Sequence, residues 1–136
     1  MSLGIGEISE GVVAILDGEA LVNDPSITTT EIAQVGMRPF VCVRAKDGNS
    51  IWLEITTRWS QPRLCLNKWK VPGSDKWMED DQYLQDARKY FAGPNSSFVA
   101  ASVKELPHKP HARPSISSDG VEAIGKQIQR YKANWF

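Results

Sequence analysis

Pro39 to Ala45 (PFVCVRA), the turn Asp47-Gly48-Asn49 and the stretch Ser50 to Thr57 (SIWLEITT) decide the fold. The first run is apolar on both faces, as in a strand covered from two sides. Asp-Gly-Asn is turn chemistry that sends the chain back on itself. In the return strand Ile51, Leu53 and Ile55 share one face, and Trp52, Glu54 and Thr56 share the other, because side chains alternate along a strand. The three pieces predict a β-hairpin.

Upstream, Glu7 to Leu16 (EISEGVVAIL) reads as a strand in which Gly11 marks a bulge. Asp17-Gly18 predicts a tight turn, with Ala20-Leu21-Val22 pairing back. Asn23 to Gly36 reads as a long loop with one helical turn near Thr30 to Val35. Met1-Ser2-Leu3 is set apart from the domain in this reading.

Downstream, Arg63 to Val71 (RLCLNKWKV) reads as a strand stopped by Pro72-Gly73. An inserted helix follows, capped by Asp80 or Asp81 and ended by Gly93-Pro94, with Leu84, Ala87 and Phe91 at helical spacing. Ser97 to Lys104 reads as a strand, and Leu106 to Pro114 as a Pro-rich loop. The final helix runs from Asp119 to Lys132. Asp119 and Glu122 have capping-box spacing, and Val121, Ile124, Ile128 and Tyr131 form an apolar stripe that Trp135 extends. These elements predict a mainly β fold with α decoration, a small curled barrel carrying an inserted helix and a C-terminal amphipathic helix.

The chain of 136 residues has the length of one domain, read here as residues 1–136. At this size roughly two-thirds of the unfolded surface is buried, which is enough to fold without cross-links. With 41% hydrophobic and 24% charged residues the composition excludes a disordered or fibrous chain. No apolar run approaches the roughly 18 residues of a membrane span, and no basic stretch followed by an apolar core opens the chain. Cys42 and Cys65 sit in apolar runs and read as buried free thiols, which fits a cytoplasmic location. Sixteen basic and sixteen acidic residues cancel, so a nucleic-acid partner would need a local patch.

Three groups of residues can carry chemistry. Arg38 opens one strand of the hairpin, and Thr56 and Thr57 close the other at about the same level. A guanidinium offers paired donors to phosphate oxygens, and a hydroxyl adds another hydrogen bond. A surface arginine beside two strand-forming threonines has the same pattern. The second group is Arg58 to Lys76, with Arg58, Arg63, Lys68, Lys70 and Lys76 around Trp59 and Trp69. Cations interleaved with aromatics suit single-stranded nucleic acid, although a solvated strand with core tryptophans has the same composition. The third is His108 with His111. Both read as surface histidines, with His108 a candidate proton acceptor. No phosphate-cradling glycine loop, nucleophile elbow or paired-cysteine zinc motif occurs, and no cofactor or metal is expected.

The order of these features resembles the PemK/MazF-like growth-inhibitor toxins of toxin–antitoxin systems. Gly6-Glu7-Ile8 resembles their opening strand. Gln34-Val35-Gly36-Met37-Arg38-Pro39, followed by Phe40-Val41-Cys42-Val43, resembles their Gln-x-Gly-x-Arg-Pro run and the strand behind it. Ile55-Thr56-Thr57, Ser97-Phe98-Val99 and the closing helix resemble the rest. The resemblance implies an SH3-like barrel and a homodimer that cuts single-stranded RNA without a metal and is neutralised by an antitoxin protein. By position, Arg38 would stabilise charge on the scissile phosphate, and Thr56, with Thr57 next in line, would hydrogen-bond it. A non-enzymatic binding protein on the same barrel, either a gyrase-directed poison or a protein-interaction module, is the alternative expectation.

Overall fold

The computed structural model describes residues 3–30, 36–71, 75–103 and 113–130, and the side chains of residues 75 and 76 are outside it. In chain order the elements are β1 (Val13–Asp17), α1 (Gly18–Asn23), β2 (Thr28–Thr29), β3 (Met37–Lys46), β4 (Asn49–Thr56), β5 (Lys70–Val71), α2 (Asp75–Glu79), β6 (Tyr83–Leu84), β7 (Phe91–Pro94), α3 (Asn95–Ala101), β8 (Ser115–Ile116) and α4 (Ser118–Arg130). Single turns of 3-10 helix lie at Ile5–Glu7 and Asn67–Trp69.

The hairpin forms as expected. Asp47 and Gly48 have φ of 54° and 81°, so both central residues of the two-residue loop are left-handed. That geometry matches the twist of the flanking strands, and Asp-Gly supplies it at low cost. Lys46 pairs with Asn49, and the ladder runs out to Phe40 opposite Glu54, with one bulge between Cys42 and Arg44.

The antiparallel sheet has the order β1-β3-β4-β7-β2, and β6 also pairs with β4. Among the described residues these ladders do not close on themselves. The sheet is mainly antiparallel and open among the described residues, with β1 and β2 at the ends of its path, so it does not close into a barrel there. A second small sheet, β5 with β8, meets the first through a single bridge from Ser115 to Val12, next to β1, and a separate bridge links Cys65 to Tyr83 of β6.

Both faces of the sheet are covered, which explains why β3 is apolar throughout. One face buries Ala14, Leu16, Phe40, Cys42 and Trp52 under Leu21 of α1 and Phe98 of α3. The other buries Val13, Val41, Val43, Leu53 and Ile55 under Trp77, Leu84, Ile116, Ile124 and Ile128. α4 lies on the second face, as its stripe requires, with Ile124 and Ile128 fully buried. Its capping hydroxyl is Ser117, which accepts from the Gly120 N–H at 3.3 Å. A Cβ at Gly120 would meet Ile116 at 2.3 Å and Trp69 at 2.6 Å, so only glycine allows this approach. Tyr131 and Trp135 lie outside the described residues.

Several expectations fail for identifiable reasons. Asp17-Gly18 does not start a hairpin. Asp17 Oδ1 accepts from the N–H groups of Glu19 and Ala20 and caps α1, because a carboxylate that serves a turn serves a helix start equally well. The expected strand Glu7 to Leu16 is ordered as a ladder only from Val13. Gly11, at φ 97°, brings its backbone against the Ile116 carbonyl. Leu3, set apart above, is 1% exposed and belongs to the core.

The helix expected to follow Asp80 is also absent. Leu84 and Ala87 are buried on one face of the sheet and Phe91 on the other, so the three never form a single stripe. Asp86 Oδ1 accepts from the Arg88 N–H and turns the chain between β6 and β7. The helix inserted in this region is instead the five-residue α2. Ser97 to Lys104 is not a strand: α3 spans Asn95–Ala101 and places Phe98 and Ala101, three apart, into the core. Arg63 to Val71 is broken by the 3-10 turn, and only Lys70–Val71 pairs as a strand. The helical turn expected near Thr30 to Val35 falls mostly on residues 31–35, outside the described residues.

The thiols differ from each other. Cys42 is fully buried, and burial pushes its pKa up to about 12, whereas Cys65 is exposed. One thiol per native chain should therefore react with a disulfide reagent such as dithiobisnitrobenzoate, and the second only after unfolding. Two fast thiols would contradict this packing.

Candidate functional site

The sheet end where β3 begins and β4 ends carries the predicted phosphate-binding residues. Arg38 pairs with Leu16 of β1 on one side. On the other side the ladder ends with Phe40 opposite Glu54, and the same register continued two residues outward brings Arg38 level with Thr56. Alternation puts Arg38, Glu54 and Thr56 on the same face, beyond the buried Phe40 and Trp52.

The Arg38 side chain is 56% exposed, and its Nε lies 3.9 Å from Glu54 Oε2. Its Nη1 donates to the Met37 carbonyl at 3.4 Å. Glu54 is mostly covered, at 13% exposure, so its charge is less screened than a surface carboxylate's. Thr56 is half-buried, and its Oγ1 accepts from the Arg58 N–H at 3.2 Å, which holds the chain as it leaves the strand. Thr57 and Arg58 are exposed beside it. Met37 and Trp59, 59% and 67% exposed, set apolar surface at the same end. A guanidinium, a carboxylate and two hydroxyls thus gather at one sheet end with an exposed indole nearby.

Sequence reasoning passed over Glu54. Its signal was legible: it precedes Thr56 by two residues on a strand, which puts the two on one face.

The basic stretch divides. Arg58 and Trp59 stand next to Thr57. The Arg63 guanidinium is bonded to the chain itself, donating to the Arg58 carbonyl at 2.8 Å and to the Gln85 carbonyl at 3.1 Å, and it ties two loops together. Lys68 is exposed and sits 4.6 Å from the Trp69 ring centroid. Lys70 donates to the Asp80 carbonyl at 2.5 Å and lies 5.3 Å from the Trp77 ring centroid. Desolvation lowers its pKa. Lys68 and Lys70 thus face Trp69, Trp77 and Asp80 rather than the hairpin end. Trp77 is a core residue, whereas Trp59 is not. The Lys76 side chain, His108 and His111 lie outside the described residues.

Among the described residues no three His, Cys, Asp or Glu side chains gather as a metal-holding group, and no helix is long and apolar enough to cross a membrane. Set against known proteins, the chain matches no family model, no curated protein and no solved structure.

Proposed function

We propose that this protein is an endoribonuclease of the PemK/MazF-like toxin type, cutting single-stranded RNA at the β3–β4 sheet end without a metal. The observation that carries the reading is the pairing of an exposed Arg38 with Glu54 at 3.9 Å on the face that also bears Thr56. In this reading Glu54 accepts the proton of an RNA 2′-hydroxyl. The 2′-oxygen attacks the adjacent phosphorus, a P–O2′ bond forms and the P–O5′ bond breaks. The 5′ oxygen leaves with a proton from water. Arg38 and the threonine hydroxyls bind the phosphate oxygens, where charge builds up in the transition state. Arg58 and Trp59 hold the flanking strand by charge and stacking.

The resemblance in the run ending at Arg38-Pro39 supports the same reading. It adds an SH3-like curl, a homodimer, a cytoplasmic setting and a neutralising antitoxin to the proposal. Incubating the protein with a long single-stranded RNA in EDTA tests it. The expected products carry 2′,3′-cyclic phosphate and 5′-hydroxyl ends. Intact RNA would overturn the reading.

The zero net charge and the tying of Arg63 and Lys70 to backbone carbonyls favour a second reading. In it the same fold binds a protein such as gyrase and cleaves nothing. Inhibited supercoiling together with intact RNA would select it.

A further inference from the structure

We propose that a pocket beside the sheet end, between the loops at 60–64 and 84–88 and the helix α4, is a binding site for one nucleobase of a single-stranded RNA. The inference rests on the nuclease reading for its substrate, but its geometry is independent of Arg38. The cavity measures about 270 Å³. Gln61, Gln85 and Gln127 line it from three separate segments. None of their side-chain amides makes a hydrogen bond with the described residues. Each presents a carbonyl and an NH2 group, the complement of the donor and acceptor pattern on a base edge.

The pocket also holds two guanidinium planes whose orientation is set. Arg63 is fixed by the Arg58 and Gln85 carbonyls. Arg88 is held by a fork, Nε to Asp86 Oδ1 at 3.0 Å and Nη2 to Oδ2 at 3.1 Å. Partial burial alone would raise the Asp86 pKa, but the Arg88 hydrogen bonds outweigh it, and the carboxyl sits below its ordinary value. The fork therefore persists at neutral pH. Bases in single-stranded RNA stack on guanidinium planes as they do on aromatic rings, and amides read their edges. Leu64, Leu84 and Ala87 add apolar surface for a ring to rest on.

The location fits a strand passing over the site. Leu84 pairs with Ile55, and Tyr83 with Thr56, so one pocket wall is the strand next to the proposed catalytic one. Ser60, at the pocket, follows Thr56 by four residues, which is at most about 14 Å of chain. Trp59 stands exposed between them.

Nucleoside 5′-monophosphates of A, C, G and U are titrated into the labelled protein, with the side-chain amide signals of Gln61, Gln85 and Gln127 as readout. One base is expected to shift these signals at concentrations at least fivefold below the others. Gln127→Ala keeps a good helix former in α4, and Gln85→Ala keeps the backbone carbonyl that Arg63 uses. Each variant should weaken the preferred base's response about tenfold and so erase a preference of this size, as loss of an edge-reading amide does. Equal response to all four bases, no response at these amides, or an unchanged preference in both variants would overturn the pocket. Base selectivity without RNA cleavage would uphold the pocket and remove the nuclease. Cleavage that needs Arg38, with no base response, would do the reverse.

Discussion

Arg38→Ala is expected to slow RNA cleavage by about 10²–10³-fold, the usual cost of removing one donor aimed at developing oxyanion charge. The side chain projects from a sheet end and is 56% exposed, so truncation removes little packing. A melt within a few degrees of the parent should accompany the loss. Arg38→Lys keeps the charge but not the paired donors, and should recover only part of the rate. Glu54→Gln keeps the shape of the site and removes the proton acceptor, with an expected loss of about 10²–10⁴-fold. Cleavage at parental rate in either Arg38→Ala or Glu54→Gln would end the catalytic assignment. A collapse in stability alongside lost cleavage would instead make the residue structural.

The largest stability effect is expected at Trp52. Its side chain is fully buried between the sheet and α3, 5.6 Å from Phe98 by ring centroids. Its indole N–H donates to Ser50 Oγ at 2.9 Å, and Ser50 is itself 2% exposed. Trp52→Ala leaves a large cavity and a buried hydroxyl without its donor. The expected cost is about 3–5 kcal/mol, against a total stability of about 5–15 kcal/mol for a domain. In a chain of this length that lowers Tm by roughly 10 °C or more. Trp52→Phe refills part of the space and should cost less. A loss below about 1 kcal/mol in the alanine variant, measured by denaturant unfolding, would show that the packing of α3 on this face of the sheet is wrong.

The candidate site was legible because a hairpin is local. Once Asp47-Gly48 sets a two-residue turn, counting brings residue 38 level with residue 57, and the bulge between Cys42 and Arg44 shifts its partner to residue 56. That bulge, which the sequence did not announce, is what puts Glu54 on the face of Arg38, and the role of Glu54 emerges only with the approach of Arg38. The fate of the downstream basic residues was not legible. Arg63 and Lys70 look the same in sequence as Arg58. Only the arrival of the Gln85, Arg58 and Asp80 carbonyls, from segments distant in the chain or folded back, ties them to the chain itself.

The sequence by itself determined the central hairpin, the amphipathic final helix and the mainly β character, because turn chemistry and apolar periodicity act over a few residues. Tertiary structure alone decided the segments from Asp17 to Asn23 and from Asp80 to Ala101. There, short apolar patterns suit either helix or strand, and the choice goes to whichever form buries its apolar residues on the face available. Phe98 goes under Trp52 as part of a helix, while Leu84 and Phe91 enter opposite faces of one sheet. Tertiary structure also left that sheet open, since closure depends on which strands meet across the whole molecule.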